Sequence, residues 1–173
     1  MLPTRPPPFL PADSPLHAAW RDFWPSRGEP PNWDAVGRVR FPEATEYLLV
    51  EAKGNLQEIH SECQAKEEGG RPWIREAFAA TKKALAVPDD RDWLCGYYQL
   101  ANRLAVLHFL NSRGIGARLL LVYFTGDKTP GAICPANEQQ WQEALRLQDE
   151  HIGLSADHLV KDRVHKLFVP VCH

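Results

Sequence analysis

The 173-residue sequence lacks most of the features that announce a function directly. No apolar run approaches the roughly 20 residues of a membrane-spanning helix. Leu119 to Phe124 is only strand-sized, so no membrane partner is expected. The N-terminus, Met1 to Pro11, has no apolar core of a signal peptide; it carries Arg5 and five prolines instead. Four cysteines, Cys63, Cys95, Cys134 and Cys172, are scattered without a CxxC or a zinc-finger spacing. They read as reduced structural thiols, and a cytoplasmic location is expected. There is no phosphate-binding glycine loop and no dinucleotide fingerprint. Neither charge sign dominates: 20 Lys and Arg face 22 Asp and Glu, a net charge of -2. General attraction to polyanions is therefore excluded, and any nucleic-acid contact must come from a local patch.

The composition that remains, 44% hydrophobic and 10% aromatic, is enough for one sizeable core. Residues 1–13 form a Pro-rich arm, and residues 14–173 a single domain. Ser14 and Pro15 start a helix running to about Trp24, with Leu16, Ala19, Trp20 and Phe23 inward. Gly28 to Pro31 breaks the chain, and Asn32 to Arg40 reads as an irregular strand. Glu46 to Lys53 is a strongly β-forming run stopped by Gly54-Asn55. Asn55 to Gly70 reads as loop with a helical turn. Pro72 to Ala86 is predicted helical with Trp73, Ala77, Phe78 and Leu85 inward, followed by a longer helix from about Trp93 to Ser112. Ala117 to Thr125 is a buried strand, Glu138 to His151 an amphipathic helix that includes Gln148 on its inner side, and Lys166 to Val171 a final strand. Alternating strands and helices predict an α/β fold, a mixed central β-sheet flanked by helices.

The second strand ends in a way ordinary strands do not. After apolar Tyr47 to Val50 come Glu51, Ala52 and Lys53, and strand alternation puts Glu51 and Lys53 on one face. A carboxylate and an ammonium there are costly unless paired or ligating a metal. Asp34 opens the preceding strand, and an antiparallel turn would bring it beside Glu51. Two carboxylates and the Ala52 carbonyl are hard ligands for Mg²⁺ or Mn²⁺. A metal-bound water with Lys53 to orient it suits phosphodiester hydrolysis. The alternative reading is a surface Glu-x-Lys pair of little consequence.

Asp34, then sixteen residues, then Glu51-Ala52-Lys53 resembles the PD-(D/E)XK nuclease superfamily. The element order from the first helix to about Phe124 matches as well; Trp33 stands where the motif name has proline. The resemblance implies a restriction-endonuclease-like core and a Mg²⁺-dependent nuclease, with Asp34 and Glu51 on the metal and Lys53 assisting the water. It also implies a polar supplement from the following helix, for which Gln99 is the candidate.

Arg103 and Asn102 share a polar stripe with Gln99, and Arg103 can hold a phosphate or pair with an acid such as Asp92. Arg71, Arg75, Lys82 and Lys83 make a basic strip that can track a phosphate backbone or serve as a solvated helix face. Glu58 is a possible further metal ligand, His60 a substrate contact or a loop residue, and Asp22 or Glu29 a weaker first-helix acid. His151, His158 and His165 recur every seven residues, but a metal pair on one helix needs i, i+4 spacing, so the repeat is coincidence. The competing function class keeps the fold without the chemistry: a binding or regulatory module in a larger assembly, as a homo-oligomer or with a protein partner.

Overall fold

The computed structural model describes residues 7, 9–11, 13–24, 31–155 and 157–172. Most of the arm, the break at Gly28 to Pro30 and the candidate Glu29 lie outside these. The described part of the arm rests on the domain: Leu10 is buried, and the Phe9 ring packs 5.3 Å from that of Tyr47.

The described residues form four helices and four strands: α1 (Leu16–Phe23), β1 (Ala35–Arg40), β2 (Thr45–Lys53), α2 (Arg71–Ala84), α3 (Tyr98–Asn111), β3 (Ala117–Thr125), α4 (Glu138–Ile152) and β4 (Val164–Pro170). The strands form one mixed sheet in chain order, with β1 antiparallel to β2 and β2, β3 and β4 mutually parallel. The architecture is α/β. Short 3₁₀ turns at Leu56–Ile59 and Lys161–Arg163 complete it.

Local chemistry sets the boundaries. Ser14 Oγ accepts from the Leu16 amide, but Pro15 takes the cap position and the helix begins at Leu16, one residue later than expected. Asn137 caps α4 by accepting from Gln140 N, and Gly153 ends it in the left-handed conformation, φ 76°. Helix α3 starts at Tyr98 and not near Trp93. Gly96, at φ 75°, breaks any helix there, and Trp93 is drawn into the core with Nε1 donating to Ile152 O at 3.0 Å. Trp73, expected inward, is exposed. The buried stripe of α2 is Ile74, Ala77, Phe78, Thr81 and Lys82, one residue out of phase with it.

All four helices lie over one face of the sheet. Trp20 of α1 meets Phe109 of α3 edge-on at 5.1 Å, Trp24 meets Phe78 of α2, and Trp141 of α4 packs against Tyr123 of β3. The parallel order accounts for this: successive right-handed crossovers stepping in one direction across a sheet return on the same side. The covered face carries Leu49, Glu51, Leu119, Leu121 and Tyr123, all buried. Alternate residues Leu48, Val50, Leu120, Val122 and Phe124 are half-buried and stand outside that core. Strand β3 is thus fully buried on one face and half-buried on the other.

Candidate active site at the carboxyl end of β2

Register brings Asp34 and Glu51 together. Ala35 pairs with Val50, and the Asp34 amide donates to Val50 O at 3.1 Å, so Asp34 lies across from Glu51. Backbone groups of Val50 and, two residues on, Ala52 point toward β1. Strand β1 ends at Ala35, so the Ala52 amide is met by the Asp34 side chain instead, donating to Oδ2 at 2.7 Å. The Ala52 carbonyl points to the same side.

Glu51 turns inward beneath the helices and is only 4% exposed. Its Oε1 accepts from Lys53 Nζ at 2.6 Å, the same-face pairing that strand alternation requires. Lys53 Nζ donates also to Gln99 Oε1 at 2.6 Å. Gln99 sits in the first turn of α3, where its amide is anchored by Ser61 Oγ at 2.8 Å. Glu51, Lys53 and Gln99 therefore meet at one sheet end, and the exposed Asp34 carboxylate holds the Ala52 amide at the same end.

Arg103, one turn further along α3, is also buried. Its Nε and Nη2 lie 2.8 and 2.7 Å from Glu51 Oε2, and Nη1 donates to Asn102 Oδ1 at 2.6 Å. Nη2 reaches the Asn32 carbonyl as well, and the guanidinium lies 4.6 Å over the Trp33 ring. The acid it pairs with is Glu51 and not Asp92, whose Oδ1 accepts from the Leu94 amide. A phosphate contact by Arg103 would require it to leave this cage. Trp33 and Asn32, unassigned by sequence reasoning, complete the cage; the signal was Trp33 itself, a large aromatic directly preceding Asp34.

The basic strip does not form as a strip. Arg71 and Arg75 both pair with Glu67, and buried Lys82 caps the carbonyls of Asp89 and Arg91 at 2.7 and 3.0 Å. Glu58 turns back on the loop, accepting from Gly54 N and Asn55 Nδ2, each at 2.7 Å. His60 is exposed and stacks near Tyr97 at 4.9 Å. Asp22 is exposed on α1.

Two carboxylates and one carbonyl are the small protein share that Mg²⁺ usually takes, with waters filling the rest. Asp34, Glu51 and the Ala52 carbonyl fit that ion in kind. Among the described residues, no three His, Cys, Asp or Glu side chains gather as a fuller cage. Glu51 has its charge balanced by Lys53 and Arg103, so a divalent ion would share this carboxylate with them. No described helix is long and apolar enough to cross a membrane. Comparisons with family models, with curated proteins and with solved structures find no significant match to this chain.

Proposed function

We propose that this chain is a metal-dependent nuclease of the PD-(D/E)XK type, built on a restriction-endonuclease-like core and hydrolysing phosphodiester bonds of DNA or RNA. The observation that carries this reading is the Lys53 ammonium, held 2.6 Å from both Glu51 Oε1 and Gln99 Oε1 at the sheet end that Asp34 shares. Asp34, Glu51 and the Ala52 carbonyl would hold Mg²⁺ or Mn²⁺. The ion, when bound, supplies an acidified water and neutralises charge on the phosphoryl oxygen. Lys53, with two N–H groups committed, has a third to orient a water or meet developing negative charge. Gln99 and Glu51 keep that ammonium from swinging to solvent. Arg103 fixes Glu51 in place, and so acts on the site through that carboxylate.

One observation favours the second reading, a catalytically silent binding module. Glu51 is already neutralised by two cations, so the fold is electrostatically complete without a metal. The two readings separate in one experiment. Purified protein is incubated with single-stranded DNA, duplex DNA and RNA plus Mn²⁺, beside Lys53→Ala. The nuclease reading expects cleavage by the wild type and a loss of about 100-fold in the variant, the scale of removing one transition-state donor. Cleavage by neither, or equally by both, refutes it. Calorimetry of Mn²⁺ binding to wild type and Glu51→Ala checks the metal assignment, and equal affinities would reject it. A cytoplasmic site of action and a nucleic-acid partner belong to this proposal.

A further inference from the structure

Beside the Lys53 ammonium lies a small cavity of about 20 Å³, whose polar walls are Glu51, Lys53, Gln99, Tyr123 and, from α4, Gln148. Gln148 is 3% exposed, and its Oε1 makes no hydrogen bond to any described residue. A buried amide oxygen without a donor costs roughly 1–3 kcal/mol, and such orphans in folded proteins are usually met by water. The cavity is large enough for one molecule, which needs roughly 10–15 Å³, and too small for a larger ligand. Its walls offer what a buried water requires, two to four polar partners. Lys53 has a third N–H that is committed to no described residue. Burial, with the charges of Asp149 and Glu51, pushes the Tyr123 phenol up, so that it stays a donor.

We infer that this cavity is a binding site for a single ordered water, held by Gln148 Oε1 on one side and the Lys53 ammonium on the other. Gln148 is thereby a positioning residue of the site, acting on Lys53 through that water, and α4 becomes part of the site's framework. The role in turnover rests on the nuclease reading; the water itself does not.

The water is tested in a crystal structure of the wild-type protein at a resolution that shows ordered solvent. The expected result is one density peak within hydrogen-bond distance of Gln148 Oε1, absent from Gln148→Leu. A dry cavity, or one closed by a rotated Gln148, overturns the site. The positioning role is tested by Mn²⁺-dependent cleavage with Gln148→Leu and Gln148→Glu. Leu is expected to lower kcat about 10-fold with KM unchanged, and Glu, which keeps an acceptor oxygen, to restore most of it. Equal kcat in wild type and Gln148→Leu overturns the role and leaves the nuclease reading standing. Absence of cleavage by every form, the wild type included, overturns the nuclease reading and with it the role in turnover, while the crystallographic result still decides the water.

Discussion

Arg103→Ala is the most informative single perturbation of this structure. It removes the guanidinium from Glu51 and leaves a carboxylate that is 4% exposed with Lys53 as its one remaining cation among the described residues. Breaking a buried ion pair from one side costs about 3–5 kcal/mol, because the partner's desolvation is no longer offset. The contact with the Trp33 face adds about 1 kcal/mol, and the Asn32 carbonyl and Asn102 Oδ1 lose their donors too. Lys53 limits the loss, so the expected total stays near 3–5 kcal/mol. At roughly 2–4 °C per kcal/mol for a domain of this length, the melting temperature should fall by about 10 °C.

Arg75→Ala is the matched control. Arg75 pairs with Glu67, but both side chains are more than half exposed, and such pairs are worth about 0–1 kcal/mol. Urea unfolding followed by tryptophan fluorescence reports on both variants, since Trp33 lies directly against Arg103. A double-mutant cycle with Glu51→Gln isolates the pair from the rest of the cage. If Arg103→Ala costs no more than Arg75→Ala, or the cycle shows no coupling, the buried pair does not hold this sheet end.

Two further outcomes test other parts of the fold. Glu46 has its carboxyl held below the ordinary 4.5, chiefly by the hydrogen bond from Arg163 and also by that from Arg118, against the opposing effect of burial. A depressed folded value means stability present above 4.5 and lost as pH falls through the folded value, so Glu46→Gln should flatten the acid limb of urea unfolding below pH 4.5; an unchanged slope would remove Glu46 from that limb. Ala86, just beyond α2, sits at φ 56°, a left-handed conformation in which a Cβ is strained. Ala86→Gly should therefore raise stability by about 0.5–1 kcal/mol despite glycine's greater unfolded-state entropy, and a lower melting temperature would show that the strain is not stored there.

Strands were the most legible elements in the sequence, because each face repeats every second residue and turn residues stop the run. The apolar run bounds Ala117 to Thr125 correctly as a buried strand, but it does not say which face the helices cover. Only the direction of the crossovers, a property of the whole chain, decides that the helices share one side. Helix phase was less secure: Trp73 is the more hydrophobic-looking neighbour of Ile74, but the packing stripe is set by Ala77, Phe78 and Thr81 together. The start of α3 depended on Gly96 and on a tertiary hydrogen bond from Trp93, neither of which leaves a periodic trace. At the candidate site, the shared face of Glu51 and Lys53 and the nearness of Asp34 follow from strand alternation and an antiparallel turn, which are local rules, whereas Gln99 is suggested only by the family resemblance. The partner of Arg103 could not, since Glu51 is 52 residues away and several acids compete equally in a linear chain.

The near-neutral charge of the whole chain has a local counterpart at this sheet end. Asp34 and Glu51 carry two negative charges and Lys53 and Arg103 two positive ones; Glu51, Lys53 and Arg103 are joined by hydrogen bonds, and Asp34 holds the Ala52 amide beside them. Such a cluster is stable without any ion, which explains how a carboxylate can be buried there at all. A divalent ion added to a balanced cluster brings an excess of positive charge that the protein does not absorb. On the nuclease reading, the phosphate of the substrate supplies the missing negative charge, and Lys53 is the cation nearest to meet it. Metal and nucleic acid then favour each other's binding, and a free-standing basic surface is not required. The same balance is what a silent module would need for permanent stability. The two readings therefore differ in whether Glu51 can exchange one of its cations, a question that Lys53 and Arg103 decide between them.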